Sequence, residues 1–492
     1  MSQLALRSLG NSSNMMTQAM ERLSTGKRVN SAADDAAGLG IATKLKAQVN
    51  SLNAASRNAT DALALIGTID GALEESSEIL LRMRELAVQS ASDTNTGTDR
   101  SFIQDEINQL NNELNRISSS TEFNSVKLLD GTYNNKQIQI GTSANQVFNI
   151  GVTSTDAATL GAFQLESLAE HNALATADAA AAVTASDLLI NVGANYEVKG
   201  SFGSTTVNVA AGDDAKTVAQ SFNLAAGTTG ITAAAITKAQ ITSVSNETYS
   251  FTLKGKSSTA STVNATVTSA TNLTALKDAI NSVSGATGIT AALTEDLSGI
   301  NLVQQDGFDI VVGDVTSSGS GTMTMGAADK NGDAVSQAAV ALGGATGTDS
   351  QVIIGQISLS SHKAFTVTSG NAANHFHTTT DAKTSSLETM GEVDISSQTG
   401  ATNALSVIDG AIAMVSEIRS EMGAAENRLT STVDNLSNVS VNTQRSLTAV
   451  EDANFASETS ALTKAQILQQ AATSMLAQAN KAKQTMLVLL QG

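Results

Sequence analysis

The 492-residue chain contains no cysteine, no proline and no tryptophan, and only 3 Tyr, 11 Phe and 4 His. Without cysteine there is no disulfide framework, no thiol nucleophile and no Cys-ligated zinc, and cysteine usage is silent on the redox compartment. Proline averages about 5% of residues in globular proteins. It breaks helix interiors by removing a donor and clashing with the preceding turn, so its absence fits long unbroken helices. No eighteen consecutive residues are apolar, so the sequence predicts no membrane span and no membrane partner. The first residues have no apolar signal-peptide core, because Arg7, Asn11, Ser12, Ser13 and Asn14 interrupt it. If the protein leaves the cell, it is expected to do so without a cleaved secretory signal.

Positive charge is also scarce. Lys and Arg number 28 against 46 Asp and Glu, a net charge of −18 that disfavours nucleic acid as a partner. The ends differ from this average. Residues 1–30 carry Arg7, Arg22, Lys27 and Arg28 against Glu21, and residues 461–492 carry Lys464, Lys481 and Lys483 with no acid. Each end is therefore +3, which leaves −24 on the segment between them.

What is present is hydrophobic periodicity. Ala461, Ala465, Leu468, Ala472, Met475, Ala479, Ala482, Met486 and Leu489 follow alternating steps of four and three, the seam of a coiled coil. Ile408, Ala411, Val415, Ile418, Met422, Ala425, Leu429, Thr432, Leu436 and Val439 repeat the pattern upstream. At the other end, Leu9, Ser13, Met16, Met20 and Leu23 form a short seam that stops at the breaker Gly26. A longer one runs through Leu45, Val49, Leu52, Ser56, Ala59, Leu63, Ile66, Asp70, Leu73, Ser77 and Leu80. A third helix, with Thr98 or Asp99 as its predicted N-cap, carries Ile103, Ile107, Leu110, Leu114 and Ile117.

Between the ends the texture changes. Residues 137–140 and 147–150 alternate with period two around a polar loop and predict a hairpin. Residues 171–396 are rich in Ala, Gly, Ser and Thr, with short alternating runs at Tyr196–Lys199 and Tyr249–Lys254. Within them Thr229-Gly230-Ile231-Thr232-Ala233-Ala234 recurs as Thr287-Gly288-Ile289-Thr290-Ala291-Ala292, and Phe222-Asn223 recurs as Ile280-Asn281. The shared offset of 58 predicts duplication of a strand–helix–strand unit, at about 185–236 and 245–294. The fold class expected is α+β, with long coiled-coil helices from both termini, a β-hairpin and a β-rich central insert. Its parts are 1–40 with 450–492, then 41–170 with 397–449, and the insert 171–396.

A pairing of the two extremities is thin. Burying a Leu or Met contributes roughly 1.5–3 kcal/mol and Ala much less, whereas ordering the backbone costs ~1–2 kcal/mol per residue. Four of the eight seam positions from Ala465 to Leu489 are Ala, and Ser13 sits in the opposing seam. Two readings follow from spacing. Either the ends pair within one chain, or they gain order only when neighbouring subunits add contacts.

At this point the residues resemble a family. The run Met20-Glu21-Arg22-Leu23-Ser24-Thr25-Gly26-Lys27-Arg28-Val29-Asn30, continuing to Gly38, resembles the N-terminal signature of bacterial flagellins, as does Leu81-Arg82-Met83-Arg84-Glu85-Leu86-Ala87-Val88-Gln89-Ser90. Gln466-Ile467-Leu468-Gln469-Gln470-Ala471 is similar to the family's closing helix. The likeness covers about 1–165 and 397–492, and the duplicated unit resembles a small module of some flagellin inserts. It departs from the family pattern at both ends, where Met1 stands almost at Leu4-Ala5-Leu6 and Lys481-Ala482-Lys483 replaces a step that often precedes Pro.

The resemblance implies a structural subunit, not an enzyme, that polymerises into the extracellular flagellar filament, with no cofactor and no metal. It implies that 1–40 and 450–492 form an inner tube, with Leu9, Met16, Met20, Leu23, Leu468, Met475, Met486 and Leu489 making the apolar self-assembly contacts. The implied partners are further copies of the chain, an export chaperone at the C-terminal segment, and filament cap and hook-junction proteins. Export would run through the flagellar type III apparatus. Toll-like receptor 5 is a further implied partner, through the matching positions Arg82, Leu86 and Glu106; the alternative is that Leu86 belongs to the core and the two charges form a solvated pair.

Other chemistry is weakly signalled. His375 and His377 could place two imidazoles on one strand face, but no third ligand of matching spacing lies nearby, and a surface turn is the favoured reading. No His-Glu-x-x-His pattern occurs. Asp34-Asp35, beside Arg28, is read as an intersubunit ion-pairing site. Gly319–Gly326 lacks the Lys-Ser/Thr of a phosphate loop. Two rival functions fit the same sequence: a hook–filament junction protein, which usually diverges over the 81–90 run, and a filament subunit whose insert is adhesive.

Overall fold

The computed structural model describes residues 2–167, 194–210, 212–257, 259–294, 297–329, 332, 339–343, 349–370, 376 and 381–490. The helices among them are α1 (Ser2–Thr25), α2 (Ala36–Ser90), α3 (Gly97–Ser120), α4 (Ala215–Leu224), α5 (Ala226–Thr229), α6 (Thr274–Ser282), α7 (Ser284–Thr287), α8 (Gln398–Glu451) and α9 (Phe455–Leu490). Packing separates two units. One comprises Met1–Thr68, Asn134–Gly151 and Met422–Gly492, and the other Ile69–Tyr133 and Val152–Glu421.

In the first unit α1 ends at Gly26, whose φ of +69° is the left-handed conformation that stops a helix cheaply only with glycine. The chain re-enters helix at α2, where the Asp35 carboxylate accepts the Gly38 N–H at 2.8 Å. The first part of α2 buries Ala42, Val49, Leu52, Ala59, Ala62 and Ile66 in steps of three, four and seven, and Leu52 and Ala55 share a small core with Leu436 of α8. Strands Lys136–Gln139 and Val147–Ile150 pair antiparallel as the predicted hairpin. The hairpin is held by Asn58 Nδ2, which donates to the Gln139 carbonyl at 2.9 Å, and by the Arg428 guanidinium 4.9 Å from the Phe148 ring centre.

In the second unit the stripe of α2 steps through Ile69, Leu73, Ser76, Leu80, Met83, Ala87 and Ser90. The expected seam placed Asp70 and Ser77 inside; the structure moves each inward position back by one residue. Asp70 is thereby left partly exposed, where it accepts from Arg419 Nε at 2.9 Å. The start of α3 also needs correction. Its N-cap is Thr96, with Asp99 at the third position, and the two exchange side chain-to-backbone hydrogen bonds in a capping box. One stretch of α8 is apolar enough, by length and composition, to cross a membrane. Its apolar residues Ile408, Ala411, Val415 and Ile418 are those buried within the protein.

The insert is built around an eight-stranded sheet with the order 289–293, 300–304, 232–242, 356–361, 161–166, 386–389, and 323–327 carrying 340–342 beside the long strand Thr232–Thr242. Two four-stranded sheets flank it. The repeated unit is a hairpin, a helix with one extra turn, and a strand, rather than the strand–helix–strand expected. The first copy runs Ala194–Lys199, Ser204–Val209, α4, α5 and Thr232–Thr242; the second runs Thr248–Lys254, Ser261–Thr266, α6, α7 and Ile289–Leu293. The repeated hexapeptide supplies the joint between turn and strand. Gly230 and Gly288 take φ of +74° and +71°. Asn223 and Asn281 each bond the N–H and C=O of the residue ten positions on, Ala233 and Ala291, with all four distances 2.8 Å. One copy packs Tyr196, Phe222 and Phe376 with centroids 5.6–5.9 Å apart, Phe376 edge-on to the other two rings and Tyr196 tilted against Phe222; the other packs Tyr249, Phe251, Leu276 and Ile280.

Candidate assembly and receptor surfaces

The extremities pair with each other in the first unit. Arg22 reaches Glu458 at 3.3 Å, Lys27 pairs with Glu451, and the Arg28 N–H donates to the Glu451 carbonyl at 2.6 Å. Arg28 Nη2 donates to the Val450 carbonyl at 2.8 Å, and the Ala453 N–H to the Gly26 carbonyl at 2.9 Å. The basic excess of the N-terminal end is thus set against α8, α9 and their junction. Asp34 and Asp35 are spent locally. Asp34 accepts from the Ser31 N–H and hydroxyl and from Gln18, and these bonds, the Ser31 N–H first, hold its carboxyl below the ordinary range. Within one chain the Arg28 guanidinium goes to the Val450 carbonyl rather than to either carboxylate.

The inner stripe between α1 and α9 is built from small side chains. Ser12 and Ala19 of α1 and Ala465 and Ala472 of α9 are buried. Leu9, Met16 and Leu23 are half-buried along the same side of α1. The other expected contacts turn outward: Met20 is 47% exposed, Leu468 39% and Met475 62%. The seam phase is therefore corrected. Ala465, Ala472 and Ala479 keep their positions, but Leu462, Gln469 and Leu476 face inward where Ala461, Leu468 and Met475 were expected. Alanine and serine admit the close approach of two helices, and the larger Met20, Leu468 and Met475 are left outside. The side chains of Met486 and Leu489 lie outside the described residues. Leu4, Leu6, Met15 and Ile467 join the outward set, so a single chain carries apolar area that none of the described residues covers.

In the second unit α2 and α3 carry the three positions expected to meet a receptor, Arg82, Leu86 and Glu106. Arg82 donates from Nε and Nη2 to Glu106 Oε1 at 3.0 and 2.9 Å, and from Nη1 to Glu85. These bonds, Glu85 first and Glu106 second, raise the guanidinium pKa further. Arg82 and Glu106 are both about half exposed, 45% each at the side chain. Leu86 is not with them: at 1% exposure it belongs to the core beneath the pair. The exposed apolar neighbours are Leu81 and Val88 of α2, seven apart on one face with Glu85 between, and Phe102 of α3, one turn before Glu106. Periodicity could have found this, because Leu86 continues the buried 76, 83, 87, 90 stripe. His375 and His377 lie outside the described residues, and among the described ones no three His, Asp or Glu converge as a metal site would need.

The chain is similar to known proteins over its length. Descriptions of the bacterial flagellin N-terminal helical region, C-terminal helical region and hook IN motif match residues 1–134, 405–490 and 250–306 respectively. It is 34% identical over 488 residues to the B-type flagellin of Pseudomonas aeruginosa, covering 99% of this chain and 97% of that one. It is 32% identical over 517 residues to a flagellin of Salmonella choleraesuis, with 100% and 98% covered, and 33% identical over 482 residues to a flagellin of Clostridium tyrobutyricum, with 98% and 97% covered.

Proposed function

From the premise that the chain belongs to the bacterial flagellin family, we propose that it polymerises through α1 and α9 into the bulk of an extracellular flagellar filament. The observation that carries this reading is the outward apolar face of a helix pair whose inner stripe is alanine and serine. Such a face costs solubility in a monomer and stabilises only when neighbours cover it. The same exposed positions on α9, Ile467, Leu468 and Met475, suit an export chaperone that shields the segment before assembly; filament cap and hook-junction proteins would meet the same helices. The domain roles follow: 1–40 and 450–492 line the tube, 41–170 with 397–449 surround it, and 171–396 projects outward.

The rival is a junction protein present in few copies. Shearing filaments from the cells and resolving their protein decides between them. We expect this chain to be a dominant band. A trace band confined to filament bases would give the junction reading instead.

Receptor recognition is the second part of the proposal. Arg82 and Glu106, bridged to each other and flanked by Leu81 and Phe102, form a charged patch with apolar neighbours that suits a protein partner such as Toll-like receptor 5. Leu86 would act from below by fixing α2 in place. Applied as monomer to receptor-bearing cells, the protein should signal, and Arg82→Ala with Glu106→Ala should lower its potency by at least about tenfold. Silence of the unaltered protein at saturating dose would refute this part and leave the filament role untouched.

A further inference from the structure

The loop 305–309 joins strand Ile300–Gln304 to strand Ile310–Ser317 and is wedged under the first repeat of the insert. The Gly307 carbonyl accepts the Lys216 N–H of α4 at 3.1 Å, and the Phe308 carbonyl accepts the Thr237 hydroxyl at 2.7 Å. Lys216 Nζ lies 4.1 Å from the Phe308 ring centre and 4.0 Å from Asp306. Gly307 has φ of +79°, and a Cβ there would stand 2.4 Å from that of Ala235. Gly355 closes the other side: a Cβ on it would meet Thr237 Oγ1 at 2.5 Å, Ala215 at 2.7 Å and the Gly307 carbonyl at 3.0 Å. Helix, strand and turn thus meet the loop with no slack.

Asp309 ends this loop. The residue as a whole is half-buried, but its Oδ1 is shut off from solvent and meets no donor. The charged groups around it are few. Asp214, the N-cap of α4, is fixed by the Thr217 N–H at 2.8 Å and the Thr217 hydroxyl at 2.6 Å. Asp213 accepts the Ala210 N–H at 2.8 Å. Lys216 is turned to Phe308 and Asp306, and Lys254 of strand Thr248–Lys254 is the remaining cation that acts on Asp309. A buried carboxylate with an undonated oxygen that also feels the charge of the anchored Asp214 is costly; a proton removes both the desolvation and the repulsion. In the second repeat the matching position, 58 residues on, is the uncharged Asn272, one residue before the N-cap Leu273, and it accepts the Thr274 N–H and hydroxyl.

We infer that this joint is a proton-operated latch: the first repeat is held fully on the loop while the Asp309 carboxyl carries a proton, and it loosens when that carboxyl ionises against Asp214. The direction of the effect is fixed. Burial first, then Asp214, push Asp309 up to about 7, while the Gly355 N–H and Lys254 pull the other way. A carboxyl raised in the folded state contributes stability that is complete below its unfolded value and is lost as pH rises through the folded one. The latch is therefore tight at pH 5 and weak at pH 8, with the folding constant of the joint falling roughly a hundredfold between them.

Amide hydrogen exchange on the full-length protein, corrected for intrinsic rates, reads this at Lys216 and Gly307. Protection of the unaltered chain should fall by tens of fold or more from pH 5 to pH 8. Asp309→Asn should be flat with pH and as protected at pH 8 as the unaltered chain at pH 5. Asp214→Asn, which removes the repulsion and keeps an Asn-type cap, should shrink the slope; it serves as the test if Asp309→Asn fails to fold. A flat unaltered chain, or the full slope kept in either variant, would overturn the latch. So would recovery of protection at pH 8 with millimolar calcium, since the carboxylates would then be holding a metal ion.

Discussion

A chain trimmed to residues 40–450 will stay folded and monomeric and will form no filament, under salt conditions in which the full chain does. The trimming removes α1 and α9 together with the ion pairs Arg22–Glu458 and Lys27–Glu451. What remains includes the cores built from Leu73, Leu80 and Met83 of α2, Ile408 and Val415 of α8, and the aromatic clusters of the insert. The loss should be all or none, because a helical polymer needs every subunit to supply the same contacts. Light scattering and electron microscopy after salt-induced assembly are the readout. Tubes that grow as readily from the trimmed chain would place the assembly contacts on α2, α3 or α8 instead.

The second large effect concerns one glycine. Gly410 of α8 packs against the strand Gly161–Glu166 so closely that a Cβ would stand 2.5 Å from that of Ala162 and 2.7 Å from the Gly161 carbonyl. Gly161 is equally confined, since its own Cβ would lie 1.9 Å from the Glu388 carbonyl of the next strand. Neither neighbour is the far end of a flexible side chain. Gly410→Val should therefore force α8 away from the sheet and cost about 3 kcal/mol, the upper part of the usual range for overpacking. A thermal midpoint lower by roughly 3–6 °C is expected for a unit of this size. An unchanged midpoint would show that the helix shifts there without loss.

The α+β architecture was legible because its signals are long. Stripes sustained over ten or more residues place α2, α3 and α8, the hairpin at 136–150 follows from period-two alternation, and the family signatures are uninterrupted runs. The errors share one physical source. Where a helix is rich in Ala, two stripes one residue apart fit the same spacing, and only the partner decides between them. Ala465, Ala472 and Ala479 belong to both stripes of α9, so the sequence could not say whether Leu468 or Gln469 faces inward. The same one-residue slip separates Met20 from Ala19 and Asp70 from Ile69. The Thr96 cap was missed because its Asp99 partner is itself a good cap. The hairpin that opens each insert repeat was hidden by the sparse, polar alternation of 204–209 and 261–266. Asp309 left no signal at all, because its environment comes from chain positions near 214, 254 and 355.

The slip changes what the assembly residues do. Leu9, Met16 and Leu23 serve the pairing of α1 with α9, whereas Met20, Leu468 and Met475 face away and are free for a neighbour. The inner stripe buries mainly Ala and Ser, each worth a fraction of a Leu, so the pair gains little on its own against the cost of ordering two helices. Cooperative order is then expected to come from contacts on the outward face.

Hydrogen exchange of the α1 and α9 backbone amides, measured in the monomer and again in the assembled filament, tests this directly. Fast exchange is expected over residues 2–25 and 455–490 in the monomer, and strong protection once neighbours are in place. Equal protection in the two states would mean that the helix pair holds itself together, and that lateral neighbours add nothing to its order.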